Sequence, residues 1–321
     1  MANCLVLGAD GFIGSHVVDA LAKAGHQVRA FDRLKSPVPL NLPTDHPNIQ
    51  LCPGDFLNRH DLDVALEDMQ YVFHFVSTTN PAASAKDPLI DVDTNIRMSV
   101  VLMQLCVEHN VKRLIFPSTG GAIYGRDLSR PLRENDLAAP VSPYGIGKLT
   151  IEGYLRYFNQ SHGLDTLVFR LANAYGERQN VVGSQGAIPI FLNLIEQGLP
   201  IKVFGDGTMV RDYVHISDLV GMIVGAFDGH HQFDTYNVGS GVGVSLNELI
   251  DSLKQVTRGD VKVEYLPARP TDVQHVVLDT ARYAKEFGKP QMMSLAQGLE
   301  ETWHYVVERA KKEHRHGKHG L

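Results

Sequence analysis

The sequence contains little that would place it outside the soluble globular proteins. It has 3 cysteines and 1 tryptophan among 321 residues, and its formal net charge of −6 gives no reason to expect nucleic acid as a partner. No apolar run approaches the ~20 residues needed to span a bilayer, so we expect no membrane partner. A strand-like run begins at residue 4 and leaves no room for a signal peptide, which predicts a cytoplasmic protein.

The cysteines are too few and too scattered for a disulfide framework. Cys4, Cys52 and Cys106 each lie in an apolar stretch, where buried cysteines commonly occur, and we expect three reduced thiols. The Lys- and His-rich segment 311–321 is interpreted as a solvated chain end. No metal site is predicted.

Strand-like and helical patterns alternate through the first half of the chain. The strand-like runs are 4–7, 27–31, 49–52, 71–76, 113–117 and 166–171, and the clearest helical patterns are 12–23, 90–108 and 144–160. This alternation predicts an α/β fold with a Rossmann-type doubly wound parallel sheet and a ligand crevice at the carboxyl ends of its strands.

The pattern changes after about residue 173, where longer loops rich in glycine and proline appear. We expect a dinucleotide-binding domain of residues 1–175 with a returning segment at about 213–240. Residues 176–212 and 241–321 are predicted to form a smaller C-terminal substrate-binding domain.

The helical pattern 90–108 is apolar nearly all round in its second half, which indicates either a subunit interface or deep burial in one chain.

A glycine-rich turn, Gly8-Ala-Asp-Gly11-Phe12-Ile13-Gly14, follows the first strand and opens a helix. In that context its backbone N–H groups and the helix dipole are suited to the pyrophosphate of a dinucleotide.

Asp32 ends the second strand about 20 residues further on, where a carboxylate accepts hydrogen bonds from ribose hydroxyls and repels a 2′-phosphate. This position favours NAD, although the adjacent Arg33 leaves NADP open. Asp55 and Phe56, after the third strand, are predicted to contact adenine, with an ordinary helix-capping role for Asp55 as the alternative.

Tyr144 and Lys148 are four residues apart. On a helix, such positions lie on one face, so a phenol and an ammonium group would point into one site. A free phenol titrates near ~10, and a nearby cation favours the phenolate, so we expect Lys148 to bring the pKa of Tyr144 toward the working range. Beside a dinucleotide, this pair indicates redox chemistry at a carbon that bears a hydroxyl group.

In combination, the motifs resemble those of the extended short-chain dehydrogenases/reductases that act on nucleotide sugars, the NAD-dependent epimerase/dehydratase group, over nearly the whole chain. The motifs that carry the resemblance are the turn 8–14, His74-Phe75, Asn95, Ser118-Thr119 before Tyr124-Gly125, the segment 144–148, Arg170 with Asn173, Arg211-Asp212-Tyr213, Asn237-Val238-Gly239 and residues 269–272. Within the group, the sequence is most similar to UDP-sugar 4-epimerases of the UDP-glucose type. The resemblance implies NAD that stays bound across turnovers, a UDP-sugar substrate and a homodimer, which favours the interface interpretation of residues 90–108.

The resemblance also implies roles for individual residues. Tyr144 resembles the catalytic base, Lys148 the residue that binds the nicotinamide ribose, and Thr119 the group that hydrogen-bonds the reacting hydroxyl. Ser118 remains an alternative to Thr119, because Gly120-Gly121 lengthens this loop by one residue against the commonest pattern. The other implied cofactor contacts are Gly8, Gly11, Phe12, Ile13, Gly14, Asp32, Asp55, Phe56, Phe75, Val76 and Asn95. The implied substrate contacts, besides Thr119, are Asn173, Val203, Arg211, Arg269, Asp272 and Val276.

Among the implied substrate contacts, Arg211 and Arg269 resemble phosphate-binding arginines, and a guanidinium fork suits diphosphate oxygens. An ordinary surface position is the alternative for each. Val276 resembles the residue that borders the sugar's C2 substituent, where a tyrosine excludes N-acetylated sugars, or it simply packs in a β-stretch. Thr79 stands where many such epimerases carry a lysine, so the sugar contacts are expected to differ.

The residues after Thr119 bear on the choice of reaction. Sugar dehydratases of this group place an acid directly after the catalytic Ser or Thr to protonate a leaving hydroxyl, but here Gly120-Gly121-Ala122 follows. This favours C4 epimerisation of a UDP-hexose through a transient 4-keto intermediate, with UDP-glucose/UDP-galactose or the N-acetylated pair as substrates. A 4-ketoreductase needs the same residues and stays open, as does a non-catalytic dinucleotide-binding protein.

Overall fold

A seven-stranded parallel sheet forms the centre of the protein. The computed structural model describes residues 1–34, 40–79, 81–125, 130–180, 186–268 and 273–317. Its strands are β1 (Asn3–Leu7), β2 (Gln27–Asp32), β3 (Ile49–Pro53), β4 (Tyr71–His74), β5 (Arg113–Thr119), β6 (Thr166–Leu171), β7 (Asn173–Tyr175), β8 (Ile201–Phe204), β9 (Val210–His215), β10 (Thr235–Val238), β11 (Gly243–Ser245), β12 (Val263–Leu266) and β13 (His275–Val276). The central sheet has the order β10-β6-β5-β4-β1-β2-β3, and every neighbouring pair in it is parallel.

Helices cover both faces of this sheet. In chain order they are α1 (Phe12–Lys23), α2 (Arg59–Leu66), α3 (Pro81–Lys86), α4 (Pro88–Ile90), a π-helical segment (Asp91–Ile96), α5 (Arg97–Glu108), α6 (Gly120–Ile123), α7 (Pro143–His162), α8 (Ala187–Glu196), α9 (Ile216–Ala226), α10 (Leu246–Thr257), α11 (Ala281–Phe287) and α12 (Leu295–Gly317). Apolar residues of α1 and α9 form one core against the sheet, and those of α2, α5 and α7 form a second core on the other face. The predicted Rossmann-type doubly wound sheet is therefore confirmed.

The later part of the chain builds a smaller unit beside this sheet. Strands β11, β9 and β13 pair in that order, β7 adds to β9, and β8 pairs with β12. Helices α8, α10 and α12 enclose a third apolar core. The chain enters this unit at β7, returns to the central sheet with α9 and β10, and leaves again at β11. We propose a dinucleotide-binding part around the central sheet and a substrate-binding part around the smaller sheets.

Local sequence fixes the start of α7, the helix that carries Tyr144 and Lys148. The Ser142 hydroxyl accepts a hydrogen bond from the Gly145 N–H at 3.2 Å, and proline occupies the first helical position. Glu152, two turns into the helix, forms a buried ion pair with Arg170 of β6, with oxygen–nitrogen distances of 2.7 and 3.1 Å. The first turns of α7 are therefore held beside the carboxyl ends of β5 and β6.

The predicted helix 90–108 differs from the observed structure. It is divided into α4, the π-helical segment and α5, and β4 ends at His74 rather than at residue 76. The π-helical segment contains two buried polar side chains, Asp91 and Asn95. Within it, Asn95 Nδ2 donates a hydrogen bond to Asp91 Oδ1 at 2.7 Å. Helix α5 packs between α2 and α7, so burial in one chain already accounts for much of its apolar surface.

The three cysteines are free, as predicted. Cys4 and Cys106 are fully buried and Cys52 is partly buried. Burial raises the pKa of the Cys4 thiol to about 12 and also raises that of Cys106, so both stay protonated and unreactive near neutral pH.

Candidate active site

The glycine turn places the start of α1 at the carboxyl edge of the central sheet. Gly8 has φ +80°, and its carbonyl accepts a hydrogen bond from the Gly11 N–H at 3.2 Å. A Cβ atom on Gly14 would lie 2.1 Å from that same carbonyl oxygen, so only glycine fits there. The helix begins at Phe12, and its first N–H groups, including that of Ile13, have no carbonyl partner within the helix. This cradle fits the pyrophosphate of a dinucleotide.

Phe75 and Val76 follow β4 and lie directly against the turn. A Cβ atom on Gly8 would be 3.0 Å from both the Phe75 carbonyl carbon and the Val76 nitrogen. The close approach of two backbone segments leaves the turn little freedom, so its N–H groups are presented in a fixed arrangement.

Asp32 ties the end of β2 to the glycine turn. Its Oδ2 atom accepts a hydrogen bond from the Asp10 N–H at 3.0 Å, and Oδ1 accepts one from the Arg33 N–H at 2.7 Å. The carboxylate therefore lies at the rim of the turn, where the sequence predicts the ribose contact. That contact stays a prediction.

The remaining predicted adenine-side residues have structural partners of their own. Asp55 Oδ1 accepts a hydrogen bond from the Leu57 N–H at 3.0 Å, as a turn-capping aspartate does. Phe56 is only 4% exposed, and its ring centroid lies 4.9 Å from that of the His74 ring. The side chain of Phe56 thus belongs to the core beneath the sheet.

Tyr144 and Lys148 lie on consecutive turns of α7, beside the end of β5. Lys148 is buried, and its Nζ atom donates a hydrogen bond to the Pro117 carbonyl at 3.1 Å. The same nitrogen lies 4.6 Å from the centroid of the Phe116 ring and 5.9 Å from that of Tyr144. The structure therefore brings the phenol and the ammonium group to one face of the helix.

The electrostatics of this pair differ from the sequence prediction. Burial, together with the negative charge of Asp91, raises the pKa of Tyr144 to about 12. Burial lowers the pKa of Lys148 to about 8, although the charges of Asp91 and Glu152 oppose that shift. In the protein alone, the pKa of Tyr144 therefore moves away from the working range rather than toward it, contrary to the prediction, because desolvation of the phenolate is the largest influence and Asp91 adds to it.

Thr119 and Asn173 face the same point at the end of the central sheet. A Cβ atom on Gly121 would lie 3.8 Å from both the Thr119 Oγ1 atom and the Asn173 Oδ1 atom. Ser118 precedes Thr119 on β5, so its side chain points to the opposite face of the sheet, where its buried hydroxyl has no partner among the described residues. The geometry favours Thr119 over Ser118 as the residue that faces Asn173.

The predicted substrate contacts that the structure describes lie on several strands of the smaller unit. Asn173 Nδ2 donates to the Asp212 carbonyl at 3.2 Å, which joins the end of the central sheet to β9. Arg211 and Val276 are paired in register on β9 and β13. Val203 is fully buried in the third core. Arg269 and Asp272 lie outside the described residues.

Val276 is itself buried. It packs in a small apolar cluster with Tyr124, Leu132 and Leu278, where its side chain is 4% exposed. This environment supports the packing interpretation of Val276.

A small cavity of about 10 Å³ adjoins Tyr144 and Lys148. The polar side chains that line it are Ser77, Asp91, Asn95, Ser99, Tyr144 and Lys148. Asn95, predicted as a cofactor contact, is buried here and accepts a hydrogen bond from the Thr78 N–H at 2.9 Å. Sequence reasoning did not identify Asp91. Its spacing of four residues from Asn95 was the available signal.

Fold and geometry together define an NAD-dependent enzyme with a tyrosine–lysine pair at the carboxyl edge of a Rossmann-type sheet. Residues 4–239 match the model of the NAD dependent epimerase/dehydratase family, and the chain belongs to that family. The family resemblance and the choice of NAD are therefore confirmed. Within the described part of the chain, no helix is both long and apolar enough to cross a membrane.

Individual relatives are similar over almost their full length. The UDP-glucose 4-epimerase of Mycolicibacterium smegmatis is 32% identical over 302 residues, which cover 93% of this chain and 96% of the relative. The crystal structure of a UDP-glucose 4-epimerase from Thermotoga maritima with UDP-glucose has a TM-score of 0.90 and 36% identity, and covers 96% of this chain and 99% of its own. A UDP-N-acetylglucosamine 4-epimerase from Methanobrevibacter ruminantium M1, in complex with UDP-N-acetylmuramic acid, has a TM-score of 0.89, 32% identity and the same coverage.

Proposed function

We propose that this enzyme interconverts the C4 epimers of a UDP-hexose, with bound NAD that undergoes no net turnover. The observation that carries the proposal is the arrangement of Tyr144 and Lys148 on one face of α7, near the end of β5, where Thr119 and Asn173 face a common point. The similarity to UDP-sugar 4-epimerases supports UDP as the nucleotide.

The proposed cycle uses few groups. Tyr144 accepts the proton of the C4 hydroxyl, and Thr119 hydrogen-bonds the same oxygen and fixes its direction. NAD, when bound, supplies the hydride acceptor and a second positive charge. Because the pKa of Tyr144 is raised to about 12 in the protein alone, the positive charges of Lys148 and of the cofactor both have to favour the phenolate. The 4-keto sugar then turns in the site, and the hydride and the proton return to give the other epimer.

The segment after Thr119 supports epimerisation over dehydration. Residues 120–123 form the short helix α6, and they include no carboxylate to protonate a leaving hydroxyl. A Cβ atom on Gly120 would lie 2.5 Å from Cδ1 of Leu278, so an acid could not occupy this position without displacing that side chain. With NAD as the hydride acceptor, oxidation and reduction at C4 would need no further protein group besides Tyr144, Lys148 and Thr119.

The proposal is tested with purified enzyme that retains its own NAD. UDP-galactose and UDP-N-acetylgalactosamine are each incubated without added cofactor, and the nucleotide sugars are separated by chromatography. We expect the C4 epimer of at least one of them, and a rate lower by about 10²–10⁴-fold from the Tyr144→Phe variant. If neither sugar is converted, but a 4-keto nucleotide sugar is reduced when NADH or NADPH is added, the enzyme is a ketoreductase.

We also propose that the enzyme is a homodimer. Ile146, Tyr154 and Tyr157 are 51%, 41% and 52% exposed, and their spacing places them on one side of α7. Light scattering after size-exclusion chromatography should give twice the mass of one chain. Ile146→Glu should shift that mass toward the monomer, whereas a monomeric wild-type protein would contradict the proposal.

A further inference from the structure

Asp91 is a buried carboxylate in which one of the two oxygen atoms accepts no hydrogen bond from the described residues. Its Oδ1 atom accepts hydrogen bonds from Thr79 Oγ1 at 2.6 Å and from Asn95 Nδ2 at 2.7 Å. Its Oδ2 atom is also buried and has no hydrogen-bond partner among the described residues. The whole residue is 3% exposed. A buried carboxylate in such a state is costly unless a positive charge lies close to it.

The cavity next to Asp91 contains that positive charge. Asp91 and Lys148 line the same space of about 10 Å³, which is roughly the volume that one water molecule needs. Gly147 lies between Tyr144 and Lys148 on α7 and has no side chain. A Cβ atom at this position would lie 3.8 Å from the Asp91 Oδ1 and Cβ atoms. The Asp91 side chain therefore lies directly beside the backbone of α7, within ordinary van der Waals distance of that Cβ position.

We propose that Asp91 is a positioning residue that holds the Lys148 ammonium group across this cavity and, through it, sets the charge balance of the Tyr144–Lys148 pair. This inference rests on the proposed catalytic roles of Tyr144 and Lys148, and it adds Asp91 to that pair as a third residue. Asp91 itself faces the cavity and contacts neither the glycine turn nor Thr119 among the described hydrogen bonds.

The direction of the effect follows from the charges around the pair. The negative charge of Asp91 raises the pKa of both Tyr144 and Lys148. Glu152, on α7, acts on Lys148 in the same direction, but it is already paired with Arg170 of β6.

His74 of β4 adds no positive charge near this pair. Burial and the nearby charge of Lys148 lower the pKa of His74 to about 3, so the ring is neutral at working pH. Among the described residues, Asp91 is therefore a negative charge near the pair that has no ion-pair partner of its own.

The decisive variant is Asp91→Asn, which keeps the shape and one accepting oxygen but removes the charge. We expect both limbs of the pH profile of kcat/KM to move to lower pH by about one unit, because both groups lose a charge that favours their protonated forms. Asp93→Asn is the matched control, since Asp93 lies on the same π-helical segment but is exposed. Its profile should coincide with that of the wild type.

A second readout does not depend on activity. The phenolate absorbance of the holoenzyme is titrated, and the titration of the Tyr144→Phe protein is subtracted to isolate one phenol among 11 tyrosines. The same subtraction in the Asp91→Asn background should show Tyr144 ionising at lower pH. Asp91→Ser, which removes the charge with a smaller side chain, should shift in the same direction and serves if Asp91→Asn does not fold.

The outcomes separate the two proposals. If the wild type converts no sugar, the proposed function fails, but the phenolate titration still tests Asp91. If both neutral variants titrate and react with the wild-type profile, Asp91 merely fills space and the inference is wrong. An acid shift that is equally large in Asp93→Asn would also overturn it, because any nearby carboxylate would then suffice.

Discussion

Gly14→Ala probes the glycine turn with the smallest possible change. The added Cβ atom would lie 2.1 Å from the Gly8 carbonyl oxygen, well over 1 Å inside the ~3.5 Å at which such atoms pack comfortably. The position of the Cβ atom is fixed by the backbone of residue 14 and the oxygen belongs to the backbone of Gly8, so no side-chain rotation relieves the contact. Because the same carbonyl accepts the Gly11 N–H, displacement of Gly8 also breaks the hydrogen bond that shapes the turn.

The expected loss has two parts. Overpacking of this kind costs about 1–3 kcal/mol of folding free energy. The displaced turn also binds the cofactor less well, and a ligand present at about 1,000 times its Kd contributes about 4 kcal/mol to stability, which the variant would lose in part. We therefore expect Gly14→Ala to be purified with little NAD and to melt at a clearly lower temperature than the wild type.

The measurement is the NAD content per chain, determined by chromatography of the denatured protein, alongside a thermal melt. Gly153→Ala is the matched control, because Gly153 lies on α7 and a Cβ atom there would meet nothing within 4 Å. That variant should keep its NAD and gain up to about 1 kcal/mol from the better helix propensity of alanine. If Gly14→Ala keeps the NAD content and melting temperature of the wild type, the turn does not have the rigidity described above.

Three further predictions concern the catalytic pair and the sugar pocket. Tyr144→Phe should lower kcat by about 10²–10⁴-fold while NAD stays bound, and a loss below tenfold would contradict its role as the base. Because burial lowers the pKa of Lys148 to about 8, its ammonium form is lost above that pH, so kcat/KM should fall as the pH rises through about 8. Activity that persists to about pH 10, the ordinary range of lysine, would show that the protonated form is not needed. Val276→Tyr separates the two interpretations of that residue. If Val276 borders the C2 substituent, the variant loses kcat/KM for N-acetylated UDP-sugars alone, by a steric cost of about 1–3 kcal/mol, whereas equal losses on both sugar types would show that Val276 only packs.

The fold was predictable because its signals are local and repeated. The sequence runs that form β1, β2, β5 and β6 in the structure are short and mainly apolar, which is typical of the strands of a buried parallel sheet. The start of α7 was off by one residue, since Pro143 rather than Tyr144 occupies the first helical position. The π-helical segment could not be predicted, because it accompanies two side chains, Asp91 and Asn95, whose burial depends on tertiary contacts.

The site was less predictable than the fold, for reasons of burial. Spacing alone placed Tyr144 and Lys148 on one face, but it could not reveal that desolvation raises the pKa of Tyr144. Phe56 and Val203 were expected to contact ligands, and the structure buries both side chains in apolar cores. A sequence shows which chemical groups lie near one another along the chain, whereas the dielectric around them depends on the whole fold.

The position of β10 has a consequence for how the chain reaches its folded state during synthesis. Every residue of β6 is buried, and β10, which pairs with one side of it, is about 65 residues further along the chain. Until residue 238 has left the ribosome, β6 is therefore an apolar edge strand with free backbone N–H and C=O groups, the kind of edge that pairs with other chains. The first half of the protein carries the cofactor turn and the Tyr144–Lys148 pair, yet the strand that covers the β6 edge of the sheet, β10, belongs to the second half.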